Sequence, residues 1–199
     1  MKTKLKDIVD IRTGYQFRGK VEPTTEASGI PFIQIKDVDP DFGLDPSDVY
    51  CVNVDIKTSR DKVIEKYGVE TGDVLFLSRG AQLFATAVEP EINATIATSY
   101  FFILRITDEK LDPGYLAWFL NHQRFQSQLA PFHQGTHIKT ISRSVLQDLT
   151  ITVPNLETQR KIAELQKLRR RELMLFHQIQ SKREQLLNAL GIQAANNKT

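Results

Sequence analysis

The chain has 199 residues, of which 41% are hydrophobic and 25% are charged, and its formal net charge is +2. This composition is typical of a globular protein, and the length fits one domain with an appendage or two small domains. A single cysteine, Cys51, excludes an intramolecular disulfide and a cysteine-based zinc site, and we interpret it as a packed residue. No apolar run approaches the ~20 residues of a membrane span, and the first ten residues lack the apolar core of a signal peptide, so we expect a soluble, cytoplasmic protein.

The charge is distributed unevenly along the chain. Residues 1–155 contain 17 Lys and Arg against 20 Asp and Glu, a net charge of −3, whereas residues 156–190 contain 8 against 4, a net charge of +4. The chain is therefore not a uniformly basic nucleic-acid-binding protein. If the first part binds DNA, its positive charge has to be concentrated on one face.

Short apolar segments separated by turn residues predict a β-rich first part. They are rich in Val, Ile and Phe, which favour strands. Because the segments are irregularly spaced and few helices lie between them, the pattern predicts a mixed α+β domain rather than a doubly wound sheet. The predicted strands are 6–11, 31–36, 73–77, 85–88, 99–106 and 149–153.

Two capping signals predict helices late in this domain. Asp112 and Pro113 are typical of the N-cap and the first position of a helix, which we expect to run through Leu129. Ser142 is predicted to begin a short helical turn.

The last part of the chain predicts one long helix. Asn155 can cap it, Pro154 disfavours its extension backwards, and neither Gly nor Pro occurs in residues 156–190. Gly191 is predicted to end the helix. The predicted organisation is a globular domain over residues 1–154, a long helix over residues 155–191 and a flexible tail over residues 192–199. The 35 residues 156–190 of the helix span about 52 Å.

Apolar residues on this helix recur at three- and four-residue spacing, which is typical of a helix that pairs with another helix. No second helix of comparable length is predicted, so we expect the partner to be a second copy or another protein. The alternative is that the helix only folds back on its own domain. The residues predicted to form the pairing surface are Ile162, Leu165, Leu168, Leu175, Phe176, Ile179, Leu186 and Leu190.

Three segments invite a metal or catalytic interpretation. The carboxylates of residues 37–48 fall partly on a calcium-loop template, but Phe42 occupies the position where that loop needs glycine. His133 and His137 are four residues apart, but the glycine between them disfavours a helix that presents both. Residues 72–80 match neither a nucleophile elbow nor a phosphate-binding loop. We therefore predict no metal, no cofactor and no catalytic residue.

Polar and basic residues at turns beside the predicted strands favour binding over chemistry. Side chains of these types can reach the base edges and phosphates of DNA. The alternative is that they belong to ordinary solvated loops. The candidate DNA-binding residues are Tyr15, Gln16, Arg18, Lys20, Ser78, Arg79, Gln82, Thr136, His137, Lys139 and Arg143.

Five segments follow one another along the chain: KLKDIVDIRTG, GIPFIQIKDVD, GDVLFLSRG, SYFFILRITDEKLDPGYLAWFLNHQRFQSQL and GTHIKTISRSVLQDLTITVPNLETQRKIAEL. Their order resembles one target-recognition unit of the specificity subunit of type I restriction–modification systems, over about residues 4–190. The resemblance implies an α+β recognition domain followed by a helical spacer, in a subunit that is not itself catalytic. It also implies double-stranded DNA as the ligand, with the methyltransferase and restriction subunits of the same system as partners.

The sequence departs from the usual member of this family in two ways. That member carries two recognition domains and two antiparallel spacer helices, whereas this chain has one of each. Thr158 also stands before Gln159, where the family commonly has an acidic residue. The first departure predicts a half-size subunit, of which two copies pair through residues 156–190 as an antiparallel homodimer and read an inverted-repeat split site.

Two other functions are compatible with the same residues. One is a dimeric adaptor or regulator that binds partner subunits but not specific DNA, which the net charge of residues 1–155 favours slightly. The other is a small enzyme that uses the acidic segment with a metal. A steep salt dependence of DNA binding distinguishes the DNA-recognition subunit from the adaptor, and a metal analysis of the purified protein tests the enzyme.

Overall fold

Strands and helices alternate irregularly along the chain, and the predicted α+β class is confirmed. The computed structural model describes residues 2–17, 21–26, 28–54, 59–89, 91–132 and 138–196. The strands are β1 (Lys2–Lys4), β2 (Val9–Thr13), β3 (Ile30–Ile33), β4 (Val38–Asp39), β5 (Gly43–Leu44), β6 (Cys51–Val52), β7 (Gly68–Val69), β8 (Val74–Leu77), β9 (Arg79–Gly80), β10 (Ala85–Ala87), β11 (Thr95–Ala97), β12 (Phe101–Ile106), β13 (Lys139–Thr140) and β14 (Thr150–Thr152). The helices are α1 (Arg60–Tyr67), α2 (Pro113–Asn121), α3 (Gln123–Leu129), α4 (Arg143–Asp148) and α5 (Leu156–Asn196).

Two four-stranded sheets form the centre of the domain. The first has the strand order β10-β8-β12-β2 and is antiparallel throughout. The second has the order β6-β3-β11-β7 and is mixed, because β3 and β11 run parallel. Three two-stranded pairs surround them: β1 with β14, β4 with β5 and β9 with β13.

Strand β8 shows how the layers pack. Successive side chains of a strand point to opposite faces, so a strand covered on both faces is apolar at every position. Val74 and Phe76 belong to a core shared with α2 and α3, whereas Leu75 and Leu77 belong to a core between the two sheets. The outer face of the second sheet packs on Val63 of α1. The layers are therefore α2 with α3, the first sheet, the second sheet and α1.

The predicted start of α2 is confirmed, but its predicted length is wrong. The Asp112 carboxylate accepts the Tyr115 N–H at 2.9 Å, as expected of an N-cap. The helix does not continue to Leu129, because the backbone of His122 is extended, with φ −64° and ψ 136°. His122 Nδ1 then accepts the Arg124 N–H at 3.2 Å and caps α3 as a separate helix.

Helix α5 begins as predicted and ends later than predicted. Asn155 Oδ1 accepts the Thr158 N–H at 2.9 Å, which confirms the N-cap. Gly191 lies inside the helix, so the predicted stop at Gly191 is wrong and residues 192–196 are helical rather than a flexible tail. An interior glycine costs only about 1 kcal/mol relative to alanine, and Ala194 and Ala195 beyond it are strong helix formers. Residues 197–199 of the predicted tail lie outside the described residues.

The first half of α5 packs on the domain, and the second half is exposed. Gln159 and Ala163 are buried, and Ala163 lies against Gly114 of α2. Every residue from 178 to 196 is exposed. The helix therefore folds back on its own domain along its first half only, and it leaves apolar residues uncovered along the rest. Its pairing with a second copy or another protein stays a prediction.

Candidate nucleic-acid interface

The pairing of β9 with β13 brings two of the predicted binding segments together. The two strands are antiparallel, with Thr140 opposite Arg79 and Lys139 opposite Gly80. The Ile141 N–H donates to the Ser78 carbonyl at 2.9 Å and extends the pairing by one hydrogen bond. Segments about 60 positions apart in the sequence thus form one edge of the domain.

The register of this pair divides its polar side chains between two faces. Directly opposite residues of an antiparallel pair share a face, and neighbouring residues point to opposite faces. Arg79 therefore lies on the face of Thr140. Lys139 lies on the other face, where it lines a cleft together with Gln82.

Arg143 is placed beside this edge by a short, well-anchored helix. It is the first residue of α4, whose N-cap Ser142 accepts the Val145 N–H at 3.3 Å through its hydroxyl. Leu146 of the same helix is fully buried, which fixes α4 on the core. The side chains of Arg79, Lys139 and Arg143 are exposed, and none has an ion-pair partner among the residues that the structure describes. Cations in this state are available to phosphate groups.

Two of the predicted binding residues have structural roles. Ser78 is 6% exposed, and its hydroxyl donates to the Tyr100 carbonyl at 2.8 Å. The ring of Tyr15 is half-buried and lies edge-on to Phe17 and Tyr67, with ring centroids 4.8 and 5.2 Å away. We therefore leave Ser78 and Tyr15 out of the proposed DNA contacts.

Of the five remaining candidate DNA-binding residues, the structure describes one. Gln16 is exposed at the end of the segment that follows β2. Arg18, Lys20, Thr136 and His137 lie outside the described residues, as does His133.

A polar cleft of about 800 Å³ separates α5 from the domain surface that carries Gln82 and Lys139. On the domain side it is lined by the corner between α2 and α3, which includes Trp118 and His122. On the helix side it is lined by basic residues of α5, namely Lys167, Arg169 and Arg170. Two of the predicted residues, Gln82 and Lys139, thus share one cleft with basic residues of α5. The sequence shows this basic run but carries no signal that it faces the loops.

Carboxylates of the acidic segment 37–48 hold turns together. Asp39 Oδ1 accepts the N–H groups of Asp41 and Phe42 at 2.8 and 2.9 Å. Asp45 Oδ1 accepts both the hydroxyl and the N–H of Ser47, at 2.6 and 2.9 Å, and these bonds lower the pKa of Asp45. In the part of the chain that the structure describes, no group of three or more His, Cys, Asp and Glu residues is placed to hold a metal ion.

An apolar stripe runs along the outer face of α5. We use the name for seven exposed residues, which are 51 to 64% accessible to solvent. Ile162, also predicted for the pairing surface, instead packs half-buried against the core of its own domain. The apolar stripe consists of Leu165, Leu168, Leu175, Phe176, Ile179, Leu186 and Leu190.

None of the described helices is long and apolar enough to cross a membrane. Helix α5 is by far the longest, and twelve of its residues between positions 157 and 184 are charged.

Comparison with known families identifies the chain's family. Residues 1–182 match the family model described as Type I restriction modification DNA specificity domain. The match covers most of the chain, so the chain belongs to this family. The resemblance drawn from the order of its segments is therefore confirmed. No curated protein matches the sequence significantly.

Three solved structures share the fold. The HsdS subunit from Thermoanaerobacter tengcongensis aligns with a TM-score of 0.59 and 20% identity, over 90% of this chain and 39% of that chain. A type I restriction-modification S subunit from M. genitalium aligns with a TM-score of 0.52 and 15% identity, over 83% and 37%. A chain from a structure on complex assembly and conformational transition of the type I R-M system aligns with a TM-score of 0.62 and 20% identity, over 96% and 43%. This chain thus spans about two fifths of the length of the structures that it matches.

Proposed function

We propose that this chain is a DNA-recognition part of a type I restriction–modification specificity subunit, and that it reads one part of a bipartite DNA site without catalysing a reaction. The observation that carries the proposal is the pairing of β9 with β13, which gathers Arg79, Gln82, Lys139 and Arg143 at one edge of a domain of this family. Strands β9 and β13 and helix α4 hold the backbones of Arg79, Lys139 and Arg143, and Gln82 lies in the bend between β9 and β10. All four residues are exposed to solvent.

The side chains differ in the contacts that they can make. Arg79, Lys139 and Arg143 can neutralise phosphates, which positions the domain on a duplex without reading its sequence. Gln82 and Gln16 carry amide groups, which can hydrogen-bond to base edges in the major groove. Lys139 and Gln82 face the cleft beside α5, so phosphate and base contacts would meet at one place.

The apolar stripe supports pairing of α5 with a second helix. Its residues from Leu165 to Leu190 span about 38 Å at 1.5 Å per residue, long enough for several layers of interlocking side chains. A second copy, packed antiparallel, would supply a matching stripe and place two recognition domains at opposite ends of the pair. The homodimer would then read an inverted-repeat split site, while its outer surfaces hold the methyltransferase and restriction subunits in the cytoplasm.

A salt titration of DNA binding tests the proposed interface. Wild-type protein is titrated onto a random-sequence duplex and onto duplexes enriched from a random pool, at several salt concentrations. Replacing Lys139 or Arg143 by Ala should weaken binding to all duplexes alike and reduce the salt slope by about 1 for each phosphate that is no longer neutralised. Gln82→Ala should weaken only the enriched duplexes, by about 1–3 kcal/mol.

Lys62→Ala is the matched control, because Lys62 is an exposed cation on α1, which packs on the second sheet rather than beside β9 and β13. Equal effects of Lys62→Ala and Lys139→Ala would contradict the interface. Binding without a salt slope would contradict DNA recognition itself and favour the adaptor.

A change in the apolar stripe tests the helix pairing. The double variant Leu175→Glu, Ile179→Glu places two charges among the exposed leucines, and we expect it to abolish self-association at micromolar concentration. The domain itself should keep its stability, because both residues are more than half exposed. Sedimentation equilibrium measures the association, and a wild-type protein that is monomeric at these concentrations would contradict the homodimer.

A further inference from the structure

Gln159 ties the start of α5 to the domain through a fully buried side chain. Its Oε1 accepts the Asp112 N–H at 2.9 Å, and its Nε2 donates to the carbonyls of Lys110 and Pro154 at 2.7 and 2.8 Å. Asp112 is the N-cap of α2, and Pro154 immediately precedes the capped start of α5. One amide group thus connects the first turns of the two helices.

One turn further along, the two helices make a close approach. A Cβ atom added to Gly114 of α2 would lie 2.8 Å from the Cβ atom of Ala163, which is closer than real Cβ atoms come. Ala163 is itself only 7% exposed. The contact therefore needs both glycine at position 114 and a small residue at position 163. We call Gln159, Gly114 and Ala163 the joint.

Contacts beyond the joint are weaker. Lys167 and Arg170 lie 3.8 and 3.7 Å from the same Glu89 carboxylate, and the Phe42 and His177 rings are 5.2 Å apart at their centroids. Long, partly solvated ion pairs constrain the orientation of a helix only weakly. A buried, fully hydrogen-bonded amide and a close-packed helix crossing constrain it strongly. The joint is therefore the part of the attachment that defines the direction of α5.

We propose that the joint sets the direction in which α5 leaves the recognition domain, and that this direction selects the number of base pairs between the two parts of the recognised site. The inference rests on the proposed function, in which paired helices separate two recognition domains. About 50 Å of helix follows Ala163 up to Asn196, at 1.5 Å per residue. A tilt of about 4° at the joint swings the far end of α5, and a recognition domain held there, sideways by about 3.4 Å, a distance equal to the rise of one base pair. The packing at Gly114 and Ala163 thus determines where the second recognition domain lies relative to the first.

The variant Gly114→Ala changes the joint by a known amount. Its new methyl group has to move about 1 Å away from Ala163 to reach ordinary contact. Gln159, which acts as the pivot, lies about 6 Å along the helix from Ala163. A displacement of about 1 Å at Ala163 therefore tilts α5 by about 9° and moves its end by about 8 Å. The double variant Gly114→Ala, Ala163→Gly moves the methyl group from one helix to the other and should restore the wild-type direction.

Gly191→Ala is the matched control. It is also a glycine-to-alanine change, but a Cβ atom on Gly191 would have no neighbour within 4 Å. Folding of every variant is verified by the fluorescence of Trp118, the single tryptophan.

The direction of α5 is measured without DNA. Spin labels are placed on exposed positions of α1 and α5, through Lys62→Cys and Gln193→Cys in a Cys51→Ala background, and labelled protein is diluted with unlabelled protein so that only intramolecular distances count. We expect a shift of several ångströms for Gly114→Ala, the wild-type distance for the double variant and no change for Gly191→Ala. An unchanged distance in Gly114→Ala overturns the role of the joint, whatever the protein binds.

The effect on spacing is measured by selection from a pool of random duplexes. Wild type and Gly114→Ala should enrich the same two sequence elements, separated by numbers of base pairs that differ by one to three. Identical separations, or enrichment of a single element, overturn the proposal. If wild type enriches no sequence at all, the proposed DNA recognition itself fails, a result distinct from a shift in the spin-label distance.

If Gly114→Ala does not fold, Ala163→Gly alone provides the test. It opens a gap at the crossing, so the spin-label distance distribution should broaden and the accepted separations should become more varied. Distributions as narrow as those of wild type would overturn the proposal.

Discussion

Replacing Gln159 by Leu should strongly destabilise the domain. The side chain is fully buried and makes three hydrogen bonds, of 2.7 to 2.9 Å, to backbone groups of Asp112, Lys110 and Pro154. Leucine has a similar volume but leaves all three groups without a partner, and each buried unsatisfied polar group costs about 1–3 kcal/mol. Because the carbonyls have a second lone pair and the site lies near the surface, we expect a loss of about 3–5 kcal/mol. This is a large part of the roughly 5–15 kcal/mol that stabilises a typical domain.

The assay is urea unfolding followed by the fluorescence of Trp118, which lies on α2 next to the joint. Gln166→Leu is the matched control, because Gln166 lies on the same helix, is half-buried and forms no side-chain hydrogen bond with the described residues. It should change the free energy of unfolding by less than about 0.5 kcal/mol. If Gln159→Leu lies within about 1 kcal/mol of wild type, the buried amide does not anchor α5 and the reasoning is refuted.

Three further predictions concern other parts of the domain. Arg105→Met should destabilise the domain by about 3–5 kcal/mol in urea unfolding, because it leaves the buried Asp73 carboxylate without its cationic partner. Arg105 donates two hydrogen bonds to that carboxylate, at 2.8 and 2.9 Å, and these bonds also raise the pKa of Arg105. A loss below about 1 kcal/mol would contradict this prediction. Gly43→Ala should lower the melting temperature more than Gly72→Ala. Both glycines have positive φ, +85° and +93°, so alanine at either position costs about 1–2 kcal/mol in backbone strain. The methyl group added at position 43 would also meet the Arg170 side chain at 3.0 Å, whereas the one added at position 72 would meet nothing within 4 Å. Equal melting temperatures would contradict the contact with Arg170. Hydrogen bonds from Lys6 and Lys4 lower the pKa of Asp148, so the stabilisation from this group is present above its unfolded pKa near 3.8 and is lost as the pH falls through its folded pKa. The double variant Lys4→Ala, Lys6→Ala should raise the Asp148 pKa towards 3.8 in a carboxyl NMR titration, and an unchanged titration would show that the two lysines do not hold it.

Local signals in the sequence predicted where most elements lie. The N-cap residues Asp112, Ser142 and Asn155 each accept the backbone hydrogen bond expected of them, because capping depends only on residues two or three positions away. The strands around residues 74–77 and 101–106 were predicted for a similar reason, since their apolar runs reflect burial on both faces. The predicted end of α5 at Gly191 is wrong, because a single glycine is a weak stop signal and the helix continues through it to Asn196.

The candidate interface was predicted as separate groups of residues, and only the tertiary structure shows which of them meet. The pairing of β9 with β13 joins positions about 60 residues apart, a distance over which the sequence carries no register signal. Ser78 has the same polar character as the exposed candidates, but its hydrogen bond to Tyr100 removes it from the surface. Residue type shows what a side chain can bind, whereas burial decides whether it is available.

The sequence by itself determined that this protein combines an α+β domain with one long amphipathic helix, because periodicity and capping are local properties. The tertiary structure decided how the two are joined. The sequence alone does not distinguish Gln159 from the other polar residues of this helix. Its side-chain amide is nevertheless buried, and two of its hydrogen-bond partners lie 47 and 49 positions away. The same docking turns the apolar stripe outward and the basic residues of α5 towards the cleft. Which face of a helix is covered depends on the surface it meets, and that surface is built by distant parts of the chain.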